Sequence, residues 1–457
     1  MITIARPPAG GLARMSHETI EYAPSATPAV PASSRPFFWC AAAVAASVFP
    51  LIFMGGLVTT HQAGMSVPDW PNSYGYNMFL FPPSKWVGGI FFEHTHRLLG
   101  TLSGFLSIAL VCLAWAPAAR PLARHRIGVF ALAMFALTGG VVLGRWRLAE
   151  STYVPAGLAS TLSHVAVGFA SLGAVAAVAW GCRGREPRRW LRWLTVVQLL
   201  AIILQGILGG TRVTQVSLTL AMIHGTFAQV FFCLTAFTVF AASRTWVKLG
   251  TVKTDWVPRL GTPSRGTQND CAARTATLAA VVWCCVLAQL VVGVLMRHNH
   301  AGLAIPDLPL AYGKLLPPAT AAGLEAANQQ RIWNYDLEPV SMAQVWLHFG
   351  HRLGAIVVTS AIVALVWRVV ARHRGVRAIA LPAYTLLALV ATQFTLGVLT
   401  VYFRKPAEIA SSHVAVGALT LMTTALLAAA AARAARKAPA AVSTNAPLAS
   451  NLSLATA

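Results

Sequence analysis

Charged residues are scarce in this sequence, and acidic residues are the scarcest of them. Charged side chains make up 11% of the 457 residues, with 13 Asp and Glu against 35 Lys and Arg. A soluble domain carries about 25% charged residues, so the composition argues against that class. Hydrophobic residues make up 56% of the chain, and its mean hydropathy is +0.62. The sequence therefore indicates a polytopic membrane protein.

Ten apolar runs are long enough to cross a bilayer, which takes about 20 residues per helix. They lie at about 38–60, 92–116, 127–147, 157–182, 190–210, 217–242, 274–296, 343–370, 378–401 and 409–433. We therefore predict an all-α polytopic membrane protein with about ten transmembrane helices.

The excess of positive charge follows this predicted topology. With a cytoplasmic N-terminus, each inner connection is basic, as at Arg183, Arg185 and Arg188, and the outer connections are poorer in Lys and Arg. The positive-inside rule then places both termini in the cytoplasm, in a multi-pass protein of the inner (cytoplasmic) membrane. The net charge of +22 has this explanation, so we expect no nucleic-acid partner.

The predicted outer loops lack cysteine. All seven cysteines fall in predicted helices or inner segments: Cys40, Cys112, Cys182, Cys233, Cys271, Cys284 and Cys285. A structural disulfide is therefore not expected. Residues 1–36 are rich in Pro, Ala and Ser without an early apolar core, so we expect a disordered cytoplasmic tail rather than a signal peptide. Residues 434–457 are expected to form a second such tail.

Internal repeats organise the chain. AGMSVPDWPNSYG (63–75) and AGLAIPDLPLAYG (301–313) are identical at seven of thirteen positions. FFEHTHRLLG (91–100) follows the first copy and LHFGHRLGA (347–355) the second, and both place His-Arg early in the next predicted helix. The chain is therefore predicted to be a duplication.

The duplication predicts two pseudo-repeated four-helix bundles, at 37–243 and 274–433, with a cytoplasmic linker at 244–273. LQGILGGTRV (204–213) and TQFTLGVLTV (392–401) are matching third helices, and each is followed by a helix with an early histidine. An inserted helix pair at 117–183 is a looser copy of the same unit.

Histidines recur at one depth, in the outer part of five predicted helices: His96, His164, His224, His351 and His413. An imidazole in hydrocarbon is costly without a partner, so such groups are functional candidates. A single histidine more often donates to a neighbouring carbonyl. Recurrence at matched depth in duplicated helices favours a shared function instead.

Haem is the ligand that this pattern favours. Two neutral imidazoles on facing apolar helices suit the axial positions of a haem iron, whereas zinc or copper takes three or four ligands, usually with Cys or carboxylate. Arg97 and Arg352 directly follow their histidines. Each can reach the haem propionates or extend to the lipid head groups.

One carboxylate distinguishes the two bundles. Glu93 precedes His96 by three residues and so shares its helix face, and the second bundle has His348 at the equivalent place. Electron transfer needs no neighbouring acid, but oxidation of carbon needs a side chain that takes up or releases protons. We therefore predict Glu93 as catalytic and the N-terminal bundle as the reactive one, with an N-terminal cap or lipid contact as the alternative role.

Together these motifs resemble the haem A synthase family. The resemblance is carried by GGLVTTHQAG (55–64), EHTHRLLG (93–100), QGILGGTRV (205–213), HFGHRLG (348–354) and SSHVAVG (411–417). It implies that haem O is converted to haem A, for cytochrome oxidase, by oxidising a ring methyl to a formyl group. The implied partners are haem O and haem A, membrane lipid, a quinol or other electron donor, and haem O synthase.

The resemblance also implies two haem sites. His96 and His224 would hold the substrate or product haem beside Glu93, and His351 and His413 would hold a haem b that passes electrons to it. This chain departs from the family plan by lacking the loop-1 cysteine pair of some members and by carrying the inserted pair 117–183.

The insertion leaves the second ligand of the first bundle open. His164 has the better spacing, since it lies 68 residues after His96 where His413 lies 62 after His351. His224 has the better context, because QGILGG precedes it as TQFTLG precedes His413. Context favours His224, and His164 would then be a relic, a packing residue or part of another haem site.

Two other functions compete with haem A synthesis. A di-haem, cytochrome b-like quinol oxidoreductase would need the histidine pairs without methyl oxidation, and a haem transport protein would favour inverted repeats, which are absent here. The outcome of Glu93→Gln separates the first two.

Overall fold

The computed structural model describes residues 33–115, 186–251 and 265–436. These residues form ten α-helices with short 3-10 turns and no strand. The helices are α1 (Arg35–Thr60), α2 (Gly88–Trp115), α3 (Arg189–Thr214), α4 (Leu218–Ala242), α5 (Arg244–Thr251), α6 (Arg265–His298), α7 (Ala321–Tyr335), α8 (Met342–His373), α9 (Arg377–Tyr402) and α10 (Ala407–Ala435).

Eight of these helices, all except α5 and α7, are long and apolar enough to cross a membrane. The prediction of an all-α polytopic membrane protein is therefore confirmed. The eight correspond to eight of the ten predicted runs and extend a few residues beyond most of them, because capped polar ends continue the helices past their apolar centres. Ser34 caps α1, for example, and Ser341 forms a capping box with Gln344 on α8. The predicted pair at 117–183, with His164 on it, lies outside the described residues.

Helix α10 connects the two sets of four membrane helices. It contacts α6 and α9 from the second set of four membrane helices, and α1 and α4 from the first set. One buried apolar cluster, including Val48, Phe231 and Ala418, joins α1, α4 and α10. Near the C-terminal end of α1, a Cβ built on Gly56 would lie 2.9 Å from Cβ of Ser411 on α10. Small residues permit this close approach, which suits membrane helices that associate through van der Waals packing.

The two copies of the outer-loop motif fold alike. In loop 1 (61–87) the Asp69 carboxylate accepts from the backbone N–H groups of Tyr74 and Gly75. In loop 2 (299–320) Asp307 accepts in the same way from Tyr312 and Gly313. Both glycines have a positive φ, of 75° and 74°, a conformation that glycine adopts at little cost. The shared Pro-Asp and Tyr-Gly of the motif are therefore loop-forming residues.

Helix α7 is an element that the apolar-run pattern did not predict. It begins after a Thr320 cap and lies against loop 2, where its Arg331 donates to the carbonyls of Leu303 and Ala304. Beneath it lies a small apolar cluster that includes Ile305 and Val345. Loop 1, at residues 61–87, has no such covering helix, so the surfaces formed by the two loops differ.

Candidate functional site

The structure brings four of the predicted histidines together as two pairs. The ring centroids of His96 on α2 and His224 on α4 lie 6.3 Å apart, with 76° between the ring planes. The ring centroids of His351 on α8 and His413 on α10 lie 6.4 Å apart, at 65°. The described neighbour of His96 is thus His224, and His164 lies outside the described residues.

Each pair has the chemistry of a two-ligand metal site. Imidazole nitrogens bind metals at about 2.0 Å, so two rings on opposite sides of one metal have centroids about 6 Å apart. The Nδ1 atoms of His96, His224 and His413 are buried without a hydrogen-bond partner. Among residues 33–115, 186–251 and 265–436, no cluster of three or more metal-binding side chains occurs. This donor set fits the two axial positions of a haem iron and does not fit a zinc centre.

Three of the four histidines are held by a glutamine on the preceding membrane helix. The Nε2 of Gln205 donates to the carbonyl of His224 at 2.8 Å, and the Nε2 of Gln289 donates to that of His351 at 2.8 Å. Gln393 Nε2 lies 3.2 Å from His413 Nε2. The first two contacts fix the backbone of the turn that carries the histidine, and the third touches the ring itself. Gln205 and Gln393 lie in the repeated motifs QGILGG and TQFTLG, each four residues before a glycine. The same spacing before Gly293 identifies Gln289.

The first site lies beneath loop 1. Gly209 of α3 packs against His224, and the adjacent Gly210 faces the loop. A Cβ on Gly210 would collide with the indole of Trp70 in loop 1. Arg212 on the next turn of α3 donates through Nη2 to the Gly64 carbonyl at 3.3 Å. Loop 1 therefore rests on the outer end of the helix that packs against His224.

Glu93 is buried on α2, with 2% of its surface exposed. Its Oε1 pairs with Arg97 at 2.8 Å, and its Oε2 accepts the N–H of Val67 in loop 1 at 2.9 Å. In the second half, His348 Nδ1 accepts the N–H of Ile305 at 3.1 Å. Glu93 and His348 thus make the same contact with equivalent loop residues, and only Glu93 brings a carboxylate.

Arg97 and Arg352 hold the outer loops. Arg97 donates to the carbonyls of Val67, Asp69 and Asn72. Arg352 donates to those of Ile305 and Leu310 and contacts His348. These loop contacts were not anticipated, since helical periodicity assigns a face but not the loop that folds back onto it. The suggested contact of both arginines with haem propionates remains a prediction.

A second buried polar pair distinguishes the first half. His94 is fully buried, and its Nδ1 lies 3.2 Å from the hydroxyl of Ser73. The equivalent residues of the second half are Phe349 and Ala311, which belong to the apolar cluster beneath α7. The aligned motifs already contain this difference, as His94 against Phe349 and Ser73 against Ala311.

The fold and the site define a class: an all-helical, multi-pass membrane protein with two partly buried histidine pairs at the helix ends that carry loops 1 and 2. The family model of the cytochrome oxidase assembly proteins (COX15-CtaA) matches this chain over residues 38–211 and 168–426. The chain belongs to that family, and the resemblance seen in its motifs is confirmed.

Two curated relatives, each named Heme A synthase, are similar to part of the chain. The protein of Shewanella oneidensis is 28% identical over 163 residues, which cover 35% of this chain and 48% of the relative. The protein of Methylobacterium radiotolerans is 30% identical over 161 residues, which cover 35% of this chain and 41% of the relative. The chain thus matches less than half of the length of these relatives.

Proposed function

We propose that this protein is a haem A synthase, a membrane oxidoreductase that oxidises the ring methyl of haem O to a formyl group. The family, and the name of the two curated relatives, support this proposal. The observation that carries it is an asymmetry between two otherwise matched histidine pairs. One pair has a buried carboxylate three residues from its ligand, and the other has an imidazole there.

In this proposal the two halves divide the work. The N-terminal bundle, residues 37–243, binds haem O or haem A between His96 and His224. The C-terminal bundle, residues 274–433, binds haem b between His351 and His413. Haem b would supply reversible one-electron transfer, with electrons from a quinol or another donor, and dioxygen would be the oxidant that accepts the electrons of the donor and of the methyl group. Haem O synthase is the partner proposed to deliver the substrate.

The proposed catalytic residue is Glu93. Both of its oxygens are held, by Arg97 and by the N–H of Val67, so the carboxylate has a fixed orientation beside the turn that carries His96. Loop 1 and Trp70 cover this end of the site, which limits the access of water. A carboxylate held there can take up a proton lost from the substrate methyl carbon.

A di-haem electron carrier remains the second candidate, and one observation favours it. His348 accepts the equivalent loop N–H without any charge, so the contact made by Glu93 has a purely structural counterpart. Under this alternative both pairs would hold electron-transfer haems and no methyl group would be oxidised.

Pigment analysis separates the two candidates. The protein is expressed with a source of haem O, and the haems that purify with it are extracted and identified by mass. The proposal expects haem A from the wild type, and haem without haem A from Glu93→Gln. Haem A at the wild-type level in that variant would contradict the role of Glu93, and a wild type that binds haem but never forms haem A would favour the electron carrier.

We also propose that the protein lies in the inner membrane with both termini in the cytoplasm. The eight membrane helices and their basic connections support this orientation. It places both histidine pairs toward the outer surface, and reporter fusions at the two termini and in loop 2 test it.

A further inference from the structure

Three basic side chains at the outer ends of the membrane helices have no acidic partner. They are Arg212 near the end of α3, Arg297 near the end of α6 and Lys405 in the turn between α9 and α10. In residues 33–115, 186–251 and 265–436 the structure has two ion pairs, Arg97–Glu93 and Arg188–Glu186. None of these three cations belongs to either pair.

All three cations are partly buried, and the two arginines donate to neutral groups. Arg297 donates through Nη2 to the Gly56 carbonyl and the Thr60 hydroxyl of α1. Burial, followed by the charge of Arg297, lowers the pKa of Lys405. Glu93 lies within electrostatic range of Arg212 but is already paired with Arg97, and neither ion pair of the described residues includes Arg297 or Lys405. A partly buried cation without a counter-charge of its own is unfavourable, so an anion would complete this arrangement.

Each cation lies near one histidine pair. Arg212 follows Gly209, which packs against His224, by three residues on α3, and Arg297 follows Gly293, which packs against His351, by four residues on α6. Each arginine is therefore about one helical turn beyond the glycine that contacts a histidine. Lys405 is in the turn that leads into α10, and its Cδ lies 3.7 Å from a Cβ built on Gly302 of loop 2. Arg212 thus neighbours the first pair, and Arg297 and Lys405 neighbour the second.

The arginines beside the histidines are already engaged. Arg97 donates to three loop carbonyls and to Glu93, and Arg352 donates to two loop carbonyls. A porphyrin between the histidines, as proposed above, brings two carboxylate groups into this region. Cations without counter-charges are the partners that such groups need.

We infer that Arg212 binds a porphyrin carboxylate at the first histidine pair, and that Arg297 and Lys405 bind one at the second. This inference rests on the proposed haem binding and adds the residues that recognise the acidic edge of the ligand. It also gives Arg297 two roles at once, since the same guanidinium joins α6 to the outer end of α1. The second haem would thereby be linked to the helix that packs against His96.

The test compares haem with haem dimethyl ester, which lacks the carboxylate charges. Full-length protein is purified in detergent, stripped of haem and titrated with each compound by Soret absorbance. The two pairs are isolated by His224→Ala, which leaves the second pair, and His413→Ala, which leaves the first. We expect each single-pair protein to bind haem roughly tenfold or more tightly than the ester, because a charge-assisted bond is lost with the ester.

Each substitution of a cation is made in both of these single-pair proteins. With only the second pair present, Arg297→Gln and Lys405→Gln should reduce the preference for haem over ester, and Arg212→Gln should leave it unchanged. With only the first pair present, Arg212→Gln should reduce the preference for haem over ester, and Arg297→Gln and Lys405→Gln should leave it unchanged. Arg297→Lys, which keeps the charge and the fold-supporting cation, should retain part of the preference.

Each remaining outcome has one meaning. Haem binding with an unchanged preference in all variants overturns this inference and leaves haem binding intact, and the cations then serve another anion such as a lipid phosphate. An equal loss of affinity for haem and ester shows a structural role and also overturns it. A wild type with no Soret band for either compound overturns the proposed haem binding itself, and this inference with it.

Discussion

Gly55 of α1 lies directly against the imidazole of His96 on α2, since a Cβ at residue 55 would stand 3.0 Å from Cε1 of the ring. The other three histidines meet glycines of the preceding membrane helix in the same way. The corresponding distances are 3.0 Å for Gly209 and His224, 3.2 Å for Gly293 and His351, and 3.3 Å for Gly397 and His413. The glycines let each ring sit close to a neighbouring backbone, which sets its position.

Adding one methyl group at such a glycine should displace the ring. For Gly293→Ala, the contact with His351 is tighter than an ordinary van der Waals contact, and overpacking of this kind costs about 1–3 kcal/mol. We expect haem affinity at the second pair to fall roughly fivefold or more, measured by titration in a His224→Ala background.

The matched control is Gly350→Ala. Gly350 adjoins His351 on α8, and a Cβ there would meet nothing within 4 Å. This variant should bind haem as tightly as its parent. Equal affinities for Gly293→Ala and Gly350→Ala would show that the glycine contact does not position the ring.

Replacing Glu93 with the residue found at its counterpart separates structure from catalysis. In Glu93→His the new imidazole can accept the Val67 N–H, as His348 accepts that of Ile305. We expect a folded protein with normal haem content that forms no haem A, measured by pigment mass and Soret absorbance.

The comparison variant is Glu93→Leu, which removes the acceptor altogether. Leaving a buried N–H unpaired costs about 1–3 kcal/mol, so this protein should also unfold at a lower temperature. Haem A formation by Glu93→His at the wild-type rate would assign Glu93 to loop support alone.

The membrane helices could be predicted because apolar composition determines them directly. Helix α7 could not, since it is short and polar and is held by contacts such as that of Arg331 with the Leu303 carbonyl. An α-helix that lies on a surface leaves no run of apolar residues for a length criterion to detect.

The candidate site could be predicted in part. Repetition identified the histidines, but spacing favoured His164 and motif context favoured His224, and only packing brings a particular ring within 6.3 Å of His96. The contacts of Arg97 with loop 1 depend on how a loop folds back over a helix. Periodicity describes one element at a time and therefore contains no information on such contacts.

Gln289 should influence the affinity and potential of the second haem without being required for haem binding. Its Nε2 contacts both the carbonyl and, at 3.1 Å, the Nδ1 of His351, whereas the first helix has Leu51 at the matching place. For Gln289→Leu we expect haem to be retained with an affinity lowered by up to about tenfold, because outer contacts orient a ligand imidazole. The amide N–H of Gln289 beside the ring withdraws electron density from it, so its loss should strengthen donation to ferric iron and lower the midpoint potential of the second haem.

Gln205→Leu provides the control for this prediction. It removes the contact with His224 and so should alter the first haem and leave the potential of the second unchanged. Identical potentials for the wild type and Gln289→Leu, measured by redox titration, would show that this glutamine only supports the helix.

Arg352 should determine the order of loop 2. Its guanidinium donates to the carbonyls of Ile305 at 2.9 Å and Leu310 at 3.0 Å, and each bond from a charged group contributes about 1.5–3 kcal/mol. Arg352→Gln should therefore speed hydrogen exchange of amides 301–313 and lower the unfolding temperature in detergent. Lys314→Gln, which changes an exposed cation in the same loop, should do neither. Because loop 2 lies above α8, loosening it should also hasten haem loss from the His351–His413 pair, and unchanged exchange in Arg352→Gln would mean that Asp307 and α7 suffice to hold the loop.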